Sequence, residues 1–162
     1  MNKFLPDTNT LSSLTQKNAD NHATISAKFS SLNDDDEVYV SIVSLYEMEY
    51  GARHAKDANL ANEMRLAIES VKNSFTILNL TEEGAKIFAD LKERYKQETQ
   101  LGKKALIKHN VDLMIASTAI EIGAILVSND HNMFKTIQKI QSDFQWEDWT
   151  QRNGVLILER LP

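Results

Sequence analysis

Residues 110–130, NVDLMIASTAIEIGAILVSND, contain an apolar helix pattern and a β-branched strand separated by a single glycine. Asn110 is predicted to cap the helix and Gly123 to close it, because these residue types favour the two ends of a helix. The strand Ala124–Ser128 follows without a loop, and Asp130 lies just beyond it. A helix that leads directly into such a strand indicates an α/β protein.

The same alternation of strands and helices extends over the rest of the chain. Further strands are predicted at Lys3–Leu5, Val38–Ile42 and Phe75–Leu78. Capping residues and the helical spacing of apolar residues predict short helices over 8–30 and five further features. These are helices from about Ser44 to Gly51, around Leu60–Val71, from Thr81 to about Gln100 and over Met133–Ile140, and a loop over 101–109. This order predicts a mostly parallel central sheet with helices on both faces.

Composition limits the class of protein. The 162 residues fit a single domain spanning 1–162, and the absence of cysteine excludes disulfides and thiolate metal sites. No apolar run approaches the ~18 residues of a membrane span, and no signal-peptide pattern is present, so we expect a cytoplasmic protein that does not bind membranes. The net charge of −5 argues against nucleic-acid binding through a basic surface alone, although metal ions could neutralise an acidic site.

Four acidic residues stand where a functional site of such a sheet is expected. Asp7 and Asp130 directly follow strands, whereas Glu47 and Asp112 are predicted in the first turns of helices. Sites in open α/β sheets form at the carboxyl ends of the strands, which these acids can reach. Carboxylates that converge without a neighbouring Lys or Arg repel one another unless divalent cations occupy the site, and carboxylate oxygens suit Mg²⁺ or Mn²⁺.

Each acid also has a purely structural interpretation. Asp7 and Asp130 could be turn residues, and Ser44 with Glu47 fits a capping box. Asp112 could simply complement a helix dipole. None of these roles requires all four acids at one edge of the sheet.

Three stretches resemble the PIN-domain family, and within it the VapC-type toxins of bacterial toxin–antitoxin pairs. They are FLPDTNTLSSL near the start, VSIVSLYEMEYGA in the middle and HNVDLMIASTAIEIGAILVSNDHNMFKTI late in the chain. They come in the order typical of the family and cover about residues 3–140. The resemblance implies a PIN-like three-layer α/β fold.

The resemblance also implies a divalent-metal-dependent endoribonuclease that hydrolyses RNA phosphodiester bonds. The catalytic acids of the family then correspond to Asp7, Glu47, Asp112 and Asp130. Asp7 and Asp112 are the first-choice ligands for Mg²⁺ or Mn²⁺, with Asp130 and Glu47 completing the site. Asn9 and Asn129 match less diagnostic polar positions. The implied partners are an RNA substrate, a cognate antitoxin protein and a second copy of the chain, for which Tyr46, Tyr50 and the 144–162 segment are candidate surfaces.

Two features depart from the family pattern. Pro6 stands where the family usually has an aliphatic residue, and proline lacks the N–H that a strand donates. Residues 144–162 extend past the usual end and contain an Asn153-Gly154 hairpin signal, so a C-terminal hairpin extension is predicted. Trp146 and Trp149 would pack there in the core or an interface, with base stacking as the less favoured alternative.

Substrate binding has one local candidate. Lys103, Lys104 and Lys108, followed by His109, form a basic stretch directly before Asp112 that could hold a phosphate backbone, although solvated loop lysines would look the same. Arg53 and His54 are a weaker second candidate. His131, beside Asp130, is interpreted as incidental.

Two other classes of α/β protein fit the sequence poorly, and a third alternative stays open. A haloacid-dehalogenase-type phosphatase needs a second aspartate where Asn9 stands, and a receiver domain needs paired acids that the chain lacks. A PIN-fold module that binds RNA or protein without catalysis remains the main alternative.

Overall fold

The structure, a computed structural model, describes residues 1–151 and contains one five-stranded sheet. All four strand pairings are parallel, and the strand order is β3-β2-β1-β4-β5. The strands are β1 (Lys3–Pro6), β2 (Glu37–Ser41), β3 (Thr76–Leu78), β4 (Ile125–Val127) and β5 (Trp146–Glu147). The predicted parallel sheet is therefore confirmed.

Helices cover both faces of this sheet. They are α1 (Thr8–Thr15), α2 (His22–Ser30), α3 (Ile42–Arg53), α4 (Ala58–Ser74), α5 (Glu82–Thr99), α6 (Lys103–Ile107), α7 (Asn110–Ile122) and α8 (His131–Ile140). Successive strand residues point to opposite faces. Leu5 packs in the core cluster with α5, α7 and α8, whereas its neighbour Phe4 packs on the α2 side. The three-layer α/β fold is confirmed.

The strand order creates a switch point in the middle of the sheet. From β1 the chain moves outward to β2 and β3, and it then returns to the other side of β1 for β4 and β5. Connections that leave adjacent strands in opposite directions open a crevice at their carboxyl ends, where ligands of α/β proteins bind. The carboxyl ends of β1 and β4 meet there, with Pro6 in register with Val127.

Pro6 belongs to β1 and does not shorten it. The Asp7 N–H donates to the Val127 carbonyl of β4 at 2.9 Å. Because alternate backbone amides of a strand point to opposite sides, position 6 faces β2, whose pairing with β1 extends only to Phe4. The register of Phe4 with Val38 places Pro6 beside Val40, still within β2, so the β1–β2 ladder ends where proline has no N–H to donate.

Several predicted boundaries were wrong for local reasons. Helix α3 begins at Ile42, because the Ser41 side chain accepts from the Val43 N–H and so ends β2. Asn110 does not cap α7; it is already helical, and His109 precedes it as the N-cap. The basic segment predicted as a loop contains the short helix α6.

Other predicted helix ends are confirmed. Thr81 caps α5 by accepting from the Gly84 N–H. Gly123 ends α7 with φ of 64°, a left-handed conformation that glycine adopts without strain.

The C-terminal segment adds a strand to the sheet edge. Strand β5 pairs with β4 in parallel, and the buried Trp149 packs on Phe4 with ring centroids 5.4 Å apart. Trp146 is half-buried against Phe134. The Asn153-Gly154 hairpin lies outside the described residues. Within residues 1–151, no helix has the length and apolar character needed to cross a bilayer.

Candidate acidic site at the switch point

The fold positions the four predicted acids on four different elements. Asp7 is the N-cap of α1 directly after β1, and Asp130 is the N-cap of α8 after β4. Asp112 lies in the first turn of α7, as predicted. Glu47 lies in the second turn of α3, because that helix begins earlier than the sequence suggested.

Asp7 is the most buried of these acids, with 5% of its surface exposed. Its Oδ1 accepts the Thr10 N–H at 2.7 Å, so it does cap the helix that follows. Burial raises the pKa of the Asp7 carboxyl, and the charge of Asp130 raises it further, although hydrogen bonds from Ser128 and Thr10 oppose this. Within residues 1–151 Asp7 forms no ion pair.

The pKa of Asp112 responds to the charges of the other three acids. Its pKa is raised from 3.8 to about 6, first by burial and then by the charges of Glu47, Asp7 and Asp130, with His109 acting in the opposite direction. A raised pKa with several acidic causes is typical of a functional site. Among residues 1–151, only His109 offsets the effect of these acidic charges on the pKa of Asp112.

Glu47 is not part of a capping box. Ser41 occupies the cap, and Ser44 lies inside α3 with a buried hydroxyl that has no hydrogen-bond partner. Glu47 is exposed and accepts a hydrogen bond from the Thr8 hydroxyl, the first residue of α1. The hydrogen bond between Thr8 and Glu47 therefore connects α3 to the turn that carries Asp7.

Asp130 is exposed and is held by its own turn. Its Oδ1 accepts the Met133 N–H at 3.0 Å, and its backbone N–H donates to the Ser128 hydroxyl at 3.1 Å. Ser128 is itself buried, and its side chain lowers the pKa of Asp7. Sequence reasoning missed this serine as a link between two acids, although a polar residue at the end of an apolar strand is a recognisable signal.

Tyr95 of α5 was not among the predicted site residues. The structure places its buried ring 5.5 Å from the His109 ring, where α5 packs along α7. Burial raises the pKa of Tyr95, and the charges of Asp130 and Asp112 add to this. The phenol therefore borders the acidic site.

The donor set fits a divalent cation in chemistry and charge. Four carboxylates supply hard oxygens, and the buried Asp7 has no basic partner in the described chain to compensate it. Across residues 1–151, no three His, Asp or Glu side chains already stand close enough together to hold an ion. Glu47 and Asp130 are exposed, and each carboxylate accepts a hydrogen bond, from the Thr8 hydroxyl and from the Met133 N–H respectively.

The predicted substrate-binding lysines lie next to this site in sequence. Lys103 and Lys104 are in α6, Lys108 follows it, and all three are exposed and form no ion pair in the described chain. Asn9 and Asn129 are exposed as well. Arg53 and His54 are exposed at the end of α3, and the His54 ring stacks on Tyr50 at 4.0 Å.

His131 makes two side-chain contacts that the sequence did not indicate. Its Nε2 lies 2.7 Å from Asp148 Oδ2, and its ring meets Trp146 edge-on at 5.1 Å. The partner lies 17 residues further along the chain, so no local pattern could have indicated it.

The fold and the acids define an α/β protein with a carboxylate cluster at its switch point, and comparison with known proteins identifies the family. The sequence matches the PIN domain family over residues 4–140, and the chain belongs to that family. No match was found among curated proteins.

Solved structures with the same fold include components of toxin–antitoxin complexes. VapBC-1 from nontypeable Haemophilus influenzae aligns with a TM-score of 0.70 and 23% identity, covering 92% of this chain and 99% of that chain. VapBC2 from Rickettsia felis, bound to a DNA fragment from its promoter, has a TM-score of 0.72 and 21% identity, with coverage of 91% and 98%. DNA-bound VapBC from Salmonella typhimurium has a TM-score of 0.69 and 24% identity, with coverage of 92% and 99%.

Proposed function

We propose that this PIN-domain protein is a divalent-metal-dependent endoribonuclease that hydrolyses RNA phosphodiester bonds, and that it is the toxin of a toxin–antitoxin pair. The main support is the raised pKa of Asp112, caused after burial by three other acids from separate elements. Such a cluster is costly to a fold unless cations bind it. The likeness in fold to VapBC structures supports the toxin assignment.

In this proposal Asp7, Asp112 and Asp130 hold Mg²⁺ or Mn²⁺, and Glu47 completes the site or orients the attacking water. A bound ion supplies charge neutralisation at the phosphate and a lowered pKa for water. The protein contributes placement: Ser128 accepts the Asp130 N–H, and Thr8 restrains Glu47. No side-chain nucleophile is required.

The RNA backbone is proposed to lie along Lys103, Lys104 and Lys108. These exposed lysines lead through His109 into the turn of α7 that carries Asp112. Cations that hold phosphates near an acidic centre offset the net charge of −5, which would otherwise repel RNA.

We further propose two protein partners. One is a second copy of the chain, docking through Tyr46 and Tyr50, each 67% exposed on α3. The other is an antitoxin that blocks the acidic site with a basic segment, since cations complement uncompensated carboxylates. The proposed place of action is the cytoplasm, where RNA substrates are found.

The experiment that tests this proposal is metal-dependent cleavage. Purified protein is incubated with tRNA, ribosomal and messenger fragments in Mg²⁺, in Mn²⁺ and in EDTA. We expect internal cleavage of at least one RNA with metal and none in EDTA. RNA binding without cleavage in either metal would favour a non-catalytic binding module, and cleavage that persists in EDTA would contradict the metal-dependent mechanism.

A further inference from the structure

The C-terminal segment beyond the family match touches the turn that carries Asp130. His131 follows Asp130 directly and pairs with Asp148 at 2.7 Å. Asp148 lies outside residues 4–140, which match the PIN family. Its side chain is only 9% exposed, whereas that of His131 is 40% exposed. Because Asp148 is nearly buried and therefore fixed, its contact limits the movement of the more exposed His131 ring.

Asp148 is itself held in one orientation. Its Oδ1 accepts the Thr150 N–H at 2.8 Å and the Thr150 hydroxyl at 2.6 Å, and its Oδ2 contacts His131 and also accepts the Gln151 side-chain amide at 3.4 Å. Burial raises the pKa of Asp148, but the bonds from Thr150 and His131 outweigh it and hold the pKa below its usual range. Asp148 therefore offers His131 an ionised acceptor, which makes a stronger hydrogen bond than a neutral one.

The segment is also anchored to the body of the protein. Strand β5 pairs with β4, and the Ser128 N–H donates to the Glu147 carbonyl at 3.0 Å. Trp149 is buried against Phe4 in the core. Two adjacent residues, Glu147 and Asp148, therefore contact the two ends of the turn 128–131. Glu147 bonds to Ser128, and Asp148 bonds to His131.

We infer that Asp148, acting through His131, is a positioning residue for the Asp130 carboxylate, and that residues 146–150 belong functionally to the acidic site. This inference rests on the proposed metal-binding role of Asp130. The Asp130 side chain is fixed by the Met133 N–H of α8, and His131 is the first residue of that helix. A contact that holds His131 in place therefore also fixes the backbone of the neighbouring Asp130, and with it the position of the Asp130 carboxylate. Partners of this kind orient ligands, and their loss commonly costs about 10- to 100-fold in metal affinity or activity.

Three variants separate the contact from general packing. His131→Phe keeps a ring against Trp146 but removes the bond to Asp148. Asp148→Ala removes the acceptor, and Asp148→Asn retains an oxygen for Thr150 and can pair with a neutral imidazole. The matched control is Lys139→Met, which breaks the pair with Glu98 at the other end of α8.

The first readout is hydrogen exchange in metal-free protein, because the Met133 amide bonds to the Asp130 carboxylate. We expect exchange of this amide to accelerate about tenfold in His131→Phe and Asp148→Ala, less in Asp148→Asn, and not in Lys139→Met. The Ile137 amide, further along α8, should not change. Unchanged Met133 exchange in both variants, or equal acceleration at Met133 and Ile137, would overturn the inference.

The second readout is Mn²⁺ affinity by electron paramagnetic resonance, with Asp112→Asn included. We expect the Mn²⁺ dissociation constant to rise about tenfold in His131→Phe and Asp148→Ala, with little further loss in the double variant. If both variants bind Mn²⁺ as wild type does, Asp148 does not position a ligand. If wild type binds Mn²⁺ no better than Asp112→Asn, the proposed function fails, and Met133 exchange still decides whether Asp148 restrains Asp130.

Discussion

The Asp7 carboxylate accepts the Thr10 N–H at 2.7 Å while it lies buried at the acidic site. One group therefore caps α1 and contributes charge to the crevice. These two roles can be separated by substitution, because asparagine caps a helix as well as aspartate does but carries no charge. The relationship makes Asp7 the sharpest test of the proposed chemistry.

We predict that Asp7→Asn folds with wild-type stability or better and loses RNA cleavage by orders of magnitude. The cap is retained and a buried charge is removed, whereas metal binding depends on that charge. Thermal unfolding and single-turnover cleavage with saturating RNA and Mg²⁺ measure the two effects. Retained cleavage would exclude Asp7 as a ligand.

Pro6→Leu is the companion variant at the same turn. Leucine restores an N–H on the side of β1 that faces β2 and leaves the bond from the Asp7 N–H to the Val127 carbonyl in place. We expect cleavage within about tenfold of wild type, or ~1.4 kcal/mol of barrier. A larger loss would mean that the proline sets the aim of Asp7.

The raised pKa of Asp112 predicts a pH dependence of stability. The unfolded carboxyl ionises near 3.8 and the folded one at about 6, so the folded state binds more protons between these values. The free energy of unfolding should therefore fall as pH rises through this window. After discounting for solvent screening, we expect on the order of 1 kcal/mol.

Chemical denaturation of metal-free protein at several pH values measures this effect. Asp112→Asn should show a smaller decline, although burial of Asp7 leaves some of it. If the free energy of unfolding falls equally with pH in the two proteins, ionisation of Asp112 does not destabilise the folded state.

Mg²⁺ should reverse the order of stability of the same two proteins. Without metal, Asp112→Asn should be at least as stable as wild type, because it lacks one repelling charge. Saturating Mg²⁺ should stabilise wild type more, by about 2.7 kcal/mol at a concentration 100 times the dissociation constant. Equal shifts in Tm on Mg²⁺ titration would remove Asp112 from the ligand set.

Alanine at Lys103, Lys104 and Lys108 should raise KM for RNA and leave kcat nearly unchanged. Each lost phosphate contact should reduce the slope of log affinity against log salt by about 0.7 for single strands. Lys86→Ala, which removes an exposed lysine paired with Glu83, is the control. Identical salt dependence in the triple variant and wild type would mean that RNA binds elsewhere.

Self-association should depend on Tyr46 and Tyr50. We expect a dimer at micromolar concentration by sedimentation and a shift to monomer in the Tyr46→Ser, Tyr50→Ser double variant, because both exposed rings lie one turn apart on α3. Leu80→Ser, another exposed apolar residue, should not change the mass. A wild-type monomer would contradict the proposed dimer.

Local chemistry let the sequence predict most elements of this protein. The spacing of apolar residues, the Thr81 cap and the left-handed Gly123 are properties of neighbouring residues, and the structure confirms them. The error at α3 arose because Ser41 caps the helix three residues before Ser44, whereas α6 and α7 begin after Gly102 and His109 without any side-chain cap bond. Strand ends also located Asp7 and Asp130, because an acid after a buried strand is visible in the sequence.

Only the tertiary structure decided which elements became neighbours. Thr10 donates to the Val127 carbonyl across 117 positions of sequence, and this pairing of β1 with β4 brings the Asp7 and Asp130 turns together. The raised pKa of Asp112 and the His131 contact with Asp148 both depend on how distant segments pack. Burial and charge repulsion depend on which residues are close in space, so they arise only once distant segments have packed. Helix and strand preferences, by contrast, are already present in the local sequence.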